Sequence, residues 1–559
     1  MQREILLTFK ERISLILENS LKEAIKDGLL PDTEFPPFRV EYPKEQKFGD
    51  YASPFALEAA KALRRSPMET AEKLKAYAEN HPMVGRVDIA SPGYINIFIS
   101  FNELCSNLKA IISEDTKYGR VTKNKPRKIN IEFVSANPTG PMNIVSARAA
   151  SLGDTIGNLF EAAGDNVERE FYVNDYGNQV NLLGRSVLAR IRETQGIETE
   201  FPEDGYHGEY VKDIAAHIIS NFNDKLSGSE DDLVDFCAKQ AVEYNVEAQK
   251  NDLAMFNVKF DRWFREKSLH ESGAVMNTFE LLDANKTVYE QDGKKFFRST
   301  HYGDDKDRVV VRDDGRPTYL LADIAYHKDK IDRKYDTIID IWGPDHHGYI
   351  SRLRGAVQAL GCPKENFKIL IAQQVNLVMD GETVKMSKRL GNFSTMRELI
   401  DEIGTDVSRY FFLMRSMESH LDFDLALAKK SSSENPVFYL QYAHARICSL
   451  FREASSRGME YNPGTFDENI LDDESCVHLM KLLARYPEEV LDAAASVEPH
   501  KIPSFLLKLA QAYHRFYADH RILTDDAAKS NAYLNLSDAA RKAIRNGLTI
   551  LGISAPEKM

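Results

Sequence analysis

The chain has 559 residues, with 85 acidic and 72 basic side chains and a formal net charge of −13. It is 43% hydrophobic and 28% charged, with 30 glycines and 21 prolines, which excludes collagen-like, largely disordered and disulfide-scaffold chains. At roughly 150 residues per domain this length suggests three or four domains, and no apolar run is long enough for a membrane-spanning helix.

Cys105, Cys237, Cys362, Cys448 and Cys476 show no CxxC or zinc-knuckle spacing. The expectation is buried thiols in a reducing, cytoplasmic compartment, with no zinc and no metal site. The acidic balance argues against wholesale nucleic-acid binding but leaves room for local basic patches. The N-terminus, MQREILLTFKERISLILENSLKEAI, carries charges every few residues. It lacks the apolar core of a signal peptide and reads as an amphipathic helix.

Residues 1–120 read as a first, α+β unit. They contain that helix, the segment Phe48-Gly49-Asp50-Tyr51-Ala52-Ser53-Pro54, a helical run over 55–65, and VDIASPGYINIFIS (87–100), which reads as turn and strand. The basic stretch KYGRVTKNKPRK (117–128) fits a solvated linker as well as an RNA-facing one. From 121 to about 425, short apolar strands (129–134, 169–173, 337–342, 367–372) alternate with helices (142–163, 349–360). That rhythm predicts an α/β core with a doubly wound, Rossmann-like parallel sheet. Residues 185–300 interrupt it with polar helices and are read as an insertion. From 426 to 559 the strand signals fade. Apolar residues three and four apart, such as Leu440, Ala443, Ile447 and Leu450, predict an all-helical bundle.

Five segments can carry chemistry. In Glu132-Phe133-Val134-Ser135-Ala136-Asn137-Pro138-Thr139-Gly140-Pro141 a strand runs into a loop and then a helix. Ligands bind at such strand ends in doubly wound sheets, and helix N–H groups suit phosphate. Glu132 and Asn137 can hold an ammonium group, although a plain tight turn fits the segment as well. Lys385-Met386-Ser387-Lys388-Arg389 places three cations within five residues of a glycine-flanked loop, suited to a polyphosphate on which charge develops. Tyr319 and Asp323 are four apart, on one face of a helix opened by Thr318. They can receive a guanidinium or belong to an ordinary amphipathic helix. Asp345, His346 and His347 follow the strand TIIDIW and read as a polar substrate loop ahead of a metal site. Tyr439, Gln441, Tyr442, His444 and Arg446 lie on one helix of the bundle, where a Tyr439/Tyr442/Arg446 stripe fits either unpaired bases or a helix–helix core.

Taken in order, these elements resemble the arginyl-tRNA synthetases, which are class I aminoacyl-tRNA synthetases, over nearly the whole chain. FGDYASPFALEAAKAL and SPGYINIFIS are similar to that family's N-terminal domain, EFVSANPTGP to the approach to its first signature, and FYVNDYGNQ to a stretch further along. VKMSKRLGNF is similar to its second signature, and FYLQYAHARICSL and HRFYADHRIL to its anticodon-binding domain. The resemblance implies ligation of L-arginine to tRNA-Arg, with ATP as substrate and Mg²⁺ beside it, through an arginyl-adenylate. It also implies that the N-terminal domain contacts the tRNA elbow, and that the enzyme is a monomer without membrane attachment. Ser135 and Asn137 would face arginine's amino group, with Glu132 in the same pocket. Tyr319 and Asp323 would take the guanidinium, and Asp345 and His347 would supply polar contacts. Pro138, Thr139, Gly140, Pro141, Asn143, Ser146, Met386 and Ser387 would line the ATP site. Lys385 and Lys388 would stabilise the leaving pyrophosphate, and Tyr439, Gln441, Tyr442, His444 and Arg446 would contact tRNA.

One departure from the family pattern stands out. Its first signature, His-X-Gly-His, is here Asn143-Ile144-Val145-Ser146. Asn143 and Ser146 retain hydrogen-bonding groups three residues apart, whereas Val145 places a side chain where the glycine admits adenine. This leaves a second expectation open: a catalytically impaired paralogue that binds RNA.

Overall fold

The computed structural model describes residues 8–379, 381–384 and 395–559. It begins with helix Phe9–Lys26, closed by a reciprocal capping box between Thr8 and Glu11. The helix buries Ile13, Leu17, Leu21 and Ala24. Beside it lies an antiparallel sheet in which β3 (Tyr94–Ile99) pairs with both β1 (Tyr51–Ser53) and β2 (Val84–Ala90). Asp88, Asn96 and their neighbours make VDIASPGYINIFIS a hairpin, where the sequence suggests one strand and a turn. This unit docks on the C-terminal bundle through buried Glu488, which accepts the backbone N–H of Lys10 at 2.7 Å and the hydroxyls of Tyr42 and Tyr51.

Two cations of the basic stretch after it are paired within the fold. Lys123 and Arg127 both pair with the buried carboxylate of Asp165.

The core sheet is parallel. Its five strands are β4 (Lys128–Glu132), β5 (Asn166–Val173), β6 (Arg262–Arg265), β10 (Thr337–Trp342) and β11 (Phe367–Ile371), in the spatial order β11-β10-β4-β5-β6. Strand order therefore reverses between β4 and β10, and their carboxyl ends open a crevice there. Helix Ile144–Ala162 follows β4 and lies close on the sheet. A Cβ at Gly153 would sit 2.2 Å from the Phe133 ring, so this contact requires glycine.

Between β5 and β6 the chain makes a helical excursion through Asn178–Gln195, Glu209–Phe222 and Glu230–Met255. The segment read as an insertion thus returns to the sheet to contribute β6. The signal is hard to read: Arg-Trp-Phe-Arg is four residues long, and its arginines flank an edge strand. A small antiparallel sheet follows, β7 (Val288–Gln291), β8 (Lys294–Phe297) and β9 (Arg308–Val311). Past β11, β12 (Val375–Met379) pairs with β13 (Glu382–Val384) and β14 (Leu421–Asp424). The C-terminal unit packs helices Pro436–Ser456, Glu474–Ser496, Lys501–Asp519 and Ala527–Ile550. No helix among the described residues is long and apolar enough to cross a membrane.

Arg148, fully buried on helix Ile144–Ala162, ties that helix to the loops around β12 and β14. Its guanidinium donates to the carbonyls of Gln373 (2.7 Å), Ser416 (3.0 Å) and Ser419 (2.9 Å). Burial lowers its pKa to about 10, so it remains charged at neutral pH. Arg148→Met should leave these carbonyls unpaired at a cost of about 3 kcal/mol or more. The check is thermal unfolding followed by circular dichroism, where an unchanged midpoint would contradict this role.

Candidate active site

The carboxyl end of β4 turns sharply. Val134 and Ser135 have φ of 67° and 39°, left-handed values that cost a non-glycine residue roughly 1–3 kcal/mol each. Hydrogen bonds hold the turn. Ser135 Oγ donates to Glu132 Oε1 at 3.0 Å and accepts the N–H of Tyr172 at 3.1 Å. Beyond it, helices of the excursion grip the loop backbone. Gln249 donates to the Asn137 carbonyl at 3.2 Å, Asn245 to that of Pro138 at 2.8 Å, and Tyr210 to that of Thr139 at 2.7 Å. The Asn137 side chain is exposed and donates to Gln179 at 3.0 Å.

The Glu132 carboxylate is taken up inside the protein by the ammonium group of Lys330 rather than turned toward a ligand. The buried Lys330 Nζ lies 2.5 Å from Glu132 Oε2 and 2.8 Å from Asp340 Oδ1. Burial acts to lower the Lys330 pKa, but the carboxylates of Asp340 and Glu132 outweigh it and raise the value. Asp340 also meets His327 Nε2 at 2.7 Å, and His327 Nδ1 lies 2.7 Å from the Asp323 carbonyl.

Helix Tyr319–Asp332 carries the next two candidates. Thr318 stands at the N-cap position without a capping side-chain bond; its Oγ1 donates instead to the Val309 carbonyl at 3.0 Å. Tyr319 is 63% exposed. Asp323, one turn on, faces inward and accepts the hydroxyl of Tyr349 at 2.5 Å. Burial raises its carboxyl pKa to about 6, although the Tyr349 hydrogen bond favours the charged form. Asp345 and His347 lie exposed on the turn Pro344–Tyr349, at the carboxyl end of β10. That turn delivers Tyr349, rather than either of them, to Asp323.

Asn143 is the N-cap of helix Ile144–Ala162. Its Oδ1 accepts both the N–H (2.9 Å) and the hydroxyl (3.2 Å) of Ser146. The two residues therefore bond each other. A β-bridge from Asn143 to Thr395 ties this start to the segment that follows Lys385–Ser394.

A cleft of about 1000 Å³ opens between the helical excursion and the start of helix Tyr319–Asp332. It is lined by Asp175, Glu266, His270 and Tyr319 among others. Glu266, 3% exposed, was not a candidate from the sequence. Burial raises its pKa to about 7, with the Asp175 charge adding to the effect. The nearby Tyr172 hydroxyl opposes that rise, and the Glu266 charge helps to raise the pKa of Asp323. In the sequence it sits within Arg265-Glu266-Lys267, which has the look of a solvated charge run.

Matches to known proteins span the chain. A model described as arginyl tRNA synthetase N terminal domain matches residues 15–99. One for the class I tRNA synthetase (R) catalytic domain matches 107–413, and one for the DALR anticodon binding domain matches 440–559. An arginine--tRNA ligase of Leptospira interrogans is 46% identical over 99% of this chain and 98% of that protein. One of Bacillus licheniformis is 42% identical over 98% and 99%. The chain belongs to the arginyl-tRNA synthetase family. The Thermus thermophilus arginyl-tRNA synthetase structure, 20% identical, shares the fold with a TM-score of 0.76 over 99% of this chain and 100% of that one.

The second family signature, with Lys385, Met386, Ser387 and Lys388, lies outside the described residues. On helix Pro436–Ser456, most of which lies within the stretch matched by the DALR anticodon binding domain model, the candidate residues divide. Tyr442 is 42% exposed, Arg446 lies 3.8 Å over the Tyr517 ring, and Tyr439 packs on His514. His444, 3% exposed, instead lies 2.9 Å from the Pro556 carbonyl. Gln441 donates to Asp406 at 2.8 Å and to Ser554 at 3.0 Å. These two hold the C-terminal segment; Tyr442 is exposed, whereas Tyr439 and Arg446 are half-buried against helix Lys501–Asp519.

Lys330→Met should leave Glu132 and Asp340 as uncompensated buried charges, at about 3–5 kcal/mol. Lys330→Met combined with Asp340→Asn should recover part of that loss. Equal melting temperatures for the two variants would contradict the pairing.

Proposed function

We propose that the chain ligates L-arginine to tRNA-Arg: arginine's carboxylate attacks the α-phosphate of ATP, pyrophosphate leaves, and the resulting arginyl-adenylate passes arginine to the terminal adenosine of the tRNA. Asp323 carries this reading. A poorly solvated carboxylate, one turn from Tyr319 and within reach of the Glu266 charge, suits a cationic side chain; Tyr319 and Glu266 line the cleft and Asp323 lies behind them. Its carboxylate matches the planar guanidinium fork in bidentate fashion, whereas lysine offers a single point charge. Ser135 and Asn137 would meet the α-ammonium, and the Lys330–Glu132 pair would fix the loop that bears them. The N–H groups at the start of helix Ile144–Ala162, beside the loop Pro138–Pro141, suit ATP phosphates. Mg²⁺ enters with those phosphates as part of the nucleotide substrate. Lys385 and Lys388 would meet the leaving pyrophosphate, while Tyr439, Tyr442 and Arg446 offer stacking surfaces for unpaired bases. The chain would act as a cytoplasmic monomer. No observation favours the impaired paralogue.

Charging of total tRNA with labelled arginine, lysine and glutamine, with ATP and Mg²⁺, tests the reading. Arginine alone should be transferred; tRNA binding without charging would overturn it.

The pH dependence follows from Asp323 and Glu266. The guanidinium and α-ammonium of arginine stay protonated between pH 5 and 7, so a change there does not come from arginine. As pH falls through about 7 and then about 6, Glu266 and Asp323 gain protons and lose the charge that attracts arginine. kcat/KM for arginine, which reports the free enzyme, should fall in that window. Glu266→Gln should remove the upper step. Asp323→Asn should lose about 2–5 kcal/mol, roughly 30-fold or more in kcat/KM. A flat wild-type profile would contradict both assignments.

A further inference from the structure

Far from the cleft in sequence and in function, the helical C-terminal unit gathers three metal-binding side chains. The ligating atoms of Asp473, Cys476 and His520 all lie within 4.8 Å of one another. His520 Nε2 is 3.3 Å from Asp473 Oδ1 and 3.9 Å from Cys476 Sγ. A tetrahedral zinc ion binds N and O at about 2.0–2.1 Å and S at about 2.3 Å, which separates its ligands by about 3.3 Å (N to O) and about 3.6 Å (N to S). The cluster already stands close to that geometry, and a small side-chain adjustment closes the difference.

Asp473 and His520 are each held by neighbouring groups. Asp473 caps helix Glu474–Ser496, its Oδ1 accepting the N–H groups of Ser475 at 2.9 Å and Cys476 at 3.1 Å and the Ser475 hydroxyl at 2.9 Å, bonds that an incoming cation would in part replace. His520 is the C-cap residue of helix Lys501–Asp519, and its other ring nitrogen, Nδ1, lies 3.0 Å from the hydroxyl of Tyr533 on helix Ala527–Ile550. Such an outer hydrogen bond orients an imidazole for a metal. Cys476 is fully buried, while Asp473 and His520 are half-buried, which leaves one side open for an ion to enter. Ser475 Oγ, 2.9 Å from both His520 Nε2 and Asp473 Oδ1, bridges these two groups and gives up its bond to the imidazole when an ion enters.

We propose that Asp473, Cys476 and His520 form a binding site for a zinc-class divalent cation that joins the start of helix Glu474–Ser496 to the end of helix Lys501–Asp519. Thiolate, imidazole and carboxylate together select a borderline-soft cation over Mg²⁺ or Ca²⁺. On binding, the Cys476 thiol releases its proton to solvent. Thiolate and carboxylate then balance the two positive charges, so the half-buried site is neutral. Such a site departs from the expectation of no zinc, which rested on near-neighbour cysteine spacing; here the third residue lies 44 residues beyond the second.

Titrating the metal-free full chain with Co²⁺ tests this. The expected result is a near-ultraviolet thiolate-to-cobalt charge-transfer band with tetrahedral visible bands, saturating at one cobalt per chain and lost on adding Zn²⁺. Cys476→Ser, which leaves the other four cysteines, should abolish the charge-transfer band. Tyr533→Phe touches the imidazole but not the metal; it should keep the band and weaken cobalt binding about tenfold or more. It also serves as the second variant should Cys476→Ser fold poorly. Absence of the band from the wild-type chain, its persistence in Cys476→Ser, or unchanged affinity in Tyr533→Phe would overturn the proposal.

Discussion

Three carboxylates stand side by side across the middle of the parallel sheet, and the site is built on the way they are neutralised. Asp340 on β10, Glu132 on β4 and Glu170 on β5 occupy matching register positions on adjacent strands. Like charges so close in a buried sheet are costly unless each is paired. One helix supplies the partners. Lys330 bridges Glu132 and Asp340, Arg333 at the helix end pairs with Glu170 at 2.6 Å, and Tyr326 donates to Glu170 at 2.8 Å. Tyr319, Asp323, Tyr326, Lys330 and Arg333 are spaced four, three, four and three apart, so they form one stripe of that helix. Its far half is locked to the sheet by charge, and that lock fixes where its near half presents Tyr319 and Asp323.

The same constraint reaches the β4 loop. Glu132, held by Lys330, accepts the Ser135 hydroxyl and so helps to keep Val134 and Ser135 in left-handed conformations. A β-branched residue does not adopt that geometry unaided. The strain is offset by the fixed pairings around it, and the turn sends the chain back over the crevice at the switch point of strand order. Loop position and helix position are therefore coupled through one buried ammonium group.

Much of this architecture was legible in the sequence. The run at 337–342 shows as a strand because Ile338 to Ile341 are all buried in the parallel sheet, while the edge run at 367–371 shows through its alternation, with Phe367 and Ile369 buried and Lys368 exposed. The heptad-like spacing in 436–456 shows in the same way. What escaped was short, edge-placed or charged. β6 has four residues with arginines at both ends. Glu266 lies between Arg265 and Lys267, and a charge run shows nothing of which member is turned inward. Lys330, in the run Lys328-Asp329-Lys330, was hidden for the same reason. Periodicity marked the helix of Tyr439 to Arg446, but could not separate residues facing outward from Gln441 and His444, which meet a C-terminal segment more than a hundred residues away.

The replaced first signature makes physical sense as a helix start. An imidazole there can donate to a ligand only if the helix end is already well formed. Asn143 forms that end directly, since its Oδ1 takes the N–H and hydroxyl of Ser146, and its backbone is bridged to Thr395. Asn is among the strongest N-caps, worth about 1 kcal/mol over alanine. One of the free N–H groups of the first turn is consumed by the cap, and the others remain aligned with the positive end of the helix dipole. What Asn143 and Ser146 give up in side-chain donors toward an anion, they return as a fixed backbone. Arg148, one turn on, adds rigidity by anchoring the helix to the loops around β12 and β14. In this chain the first-signature window is thus a firmly capped helix start that presents backbone N–H groups in a fixed orientation, with no histidine in either position.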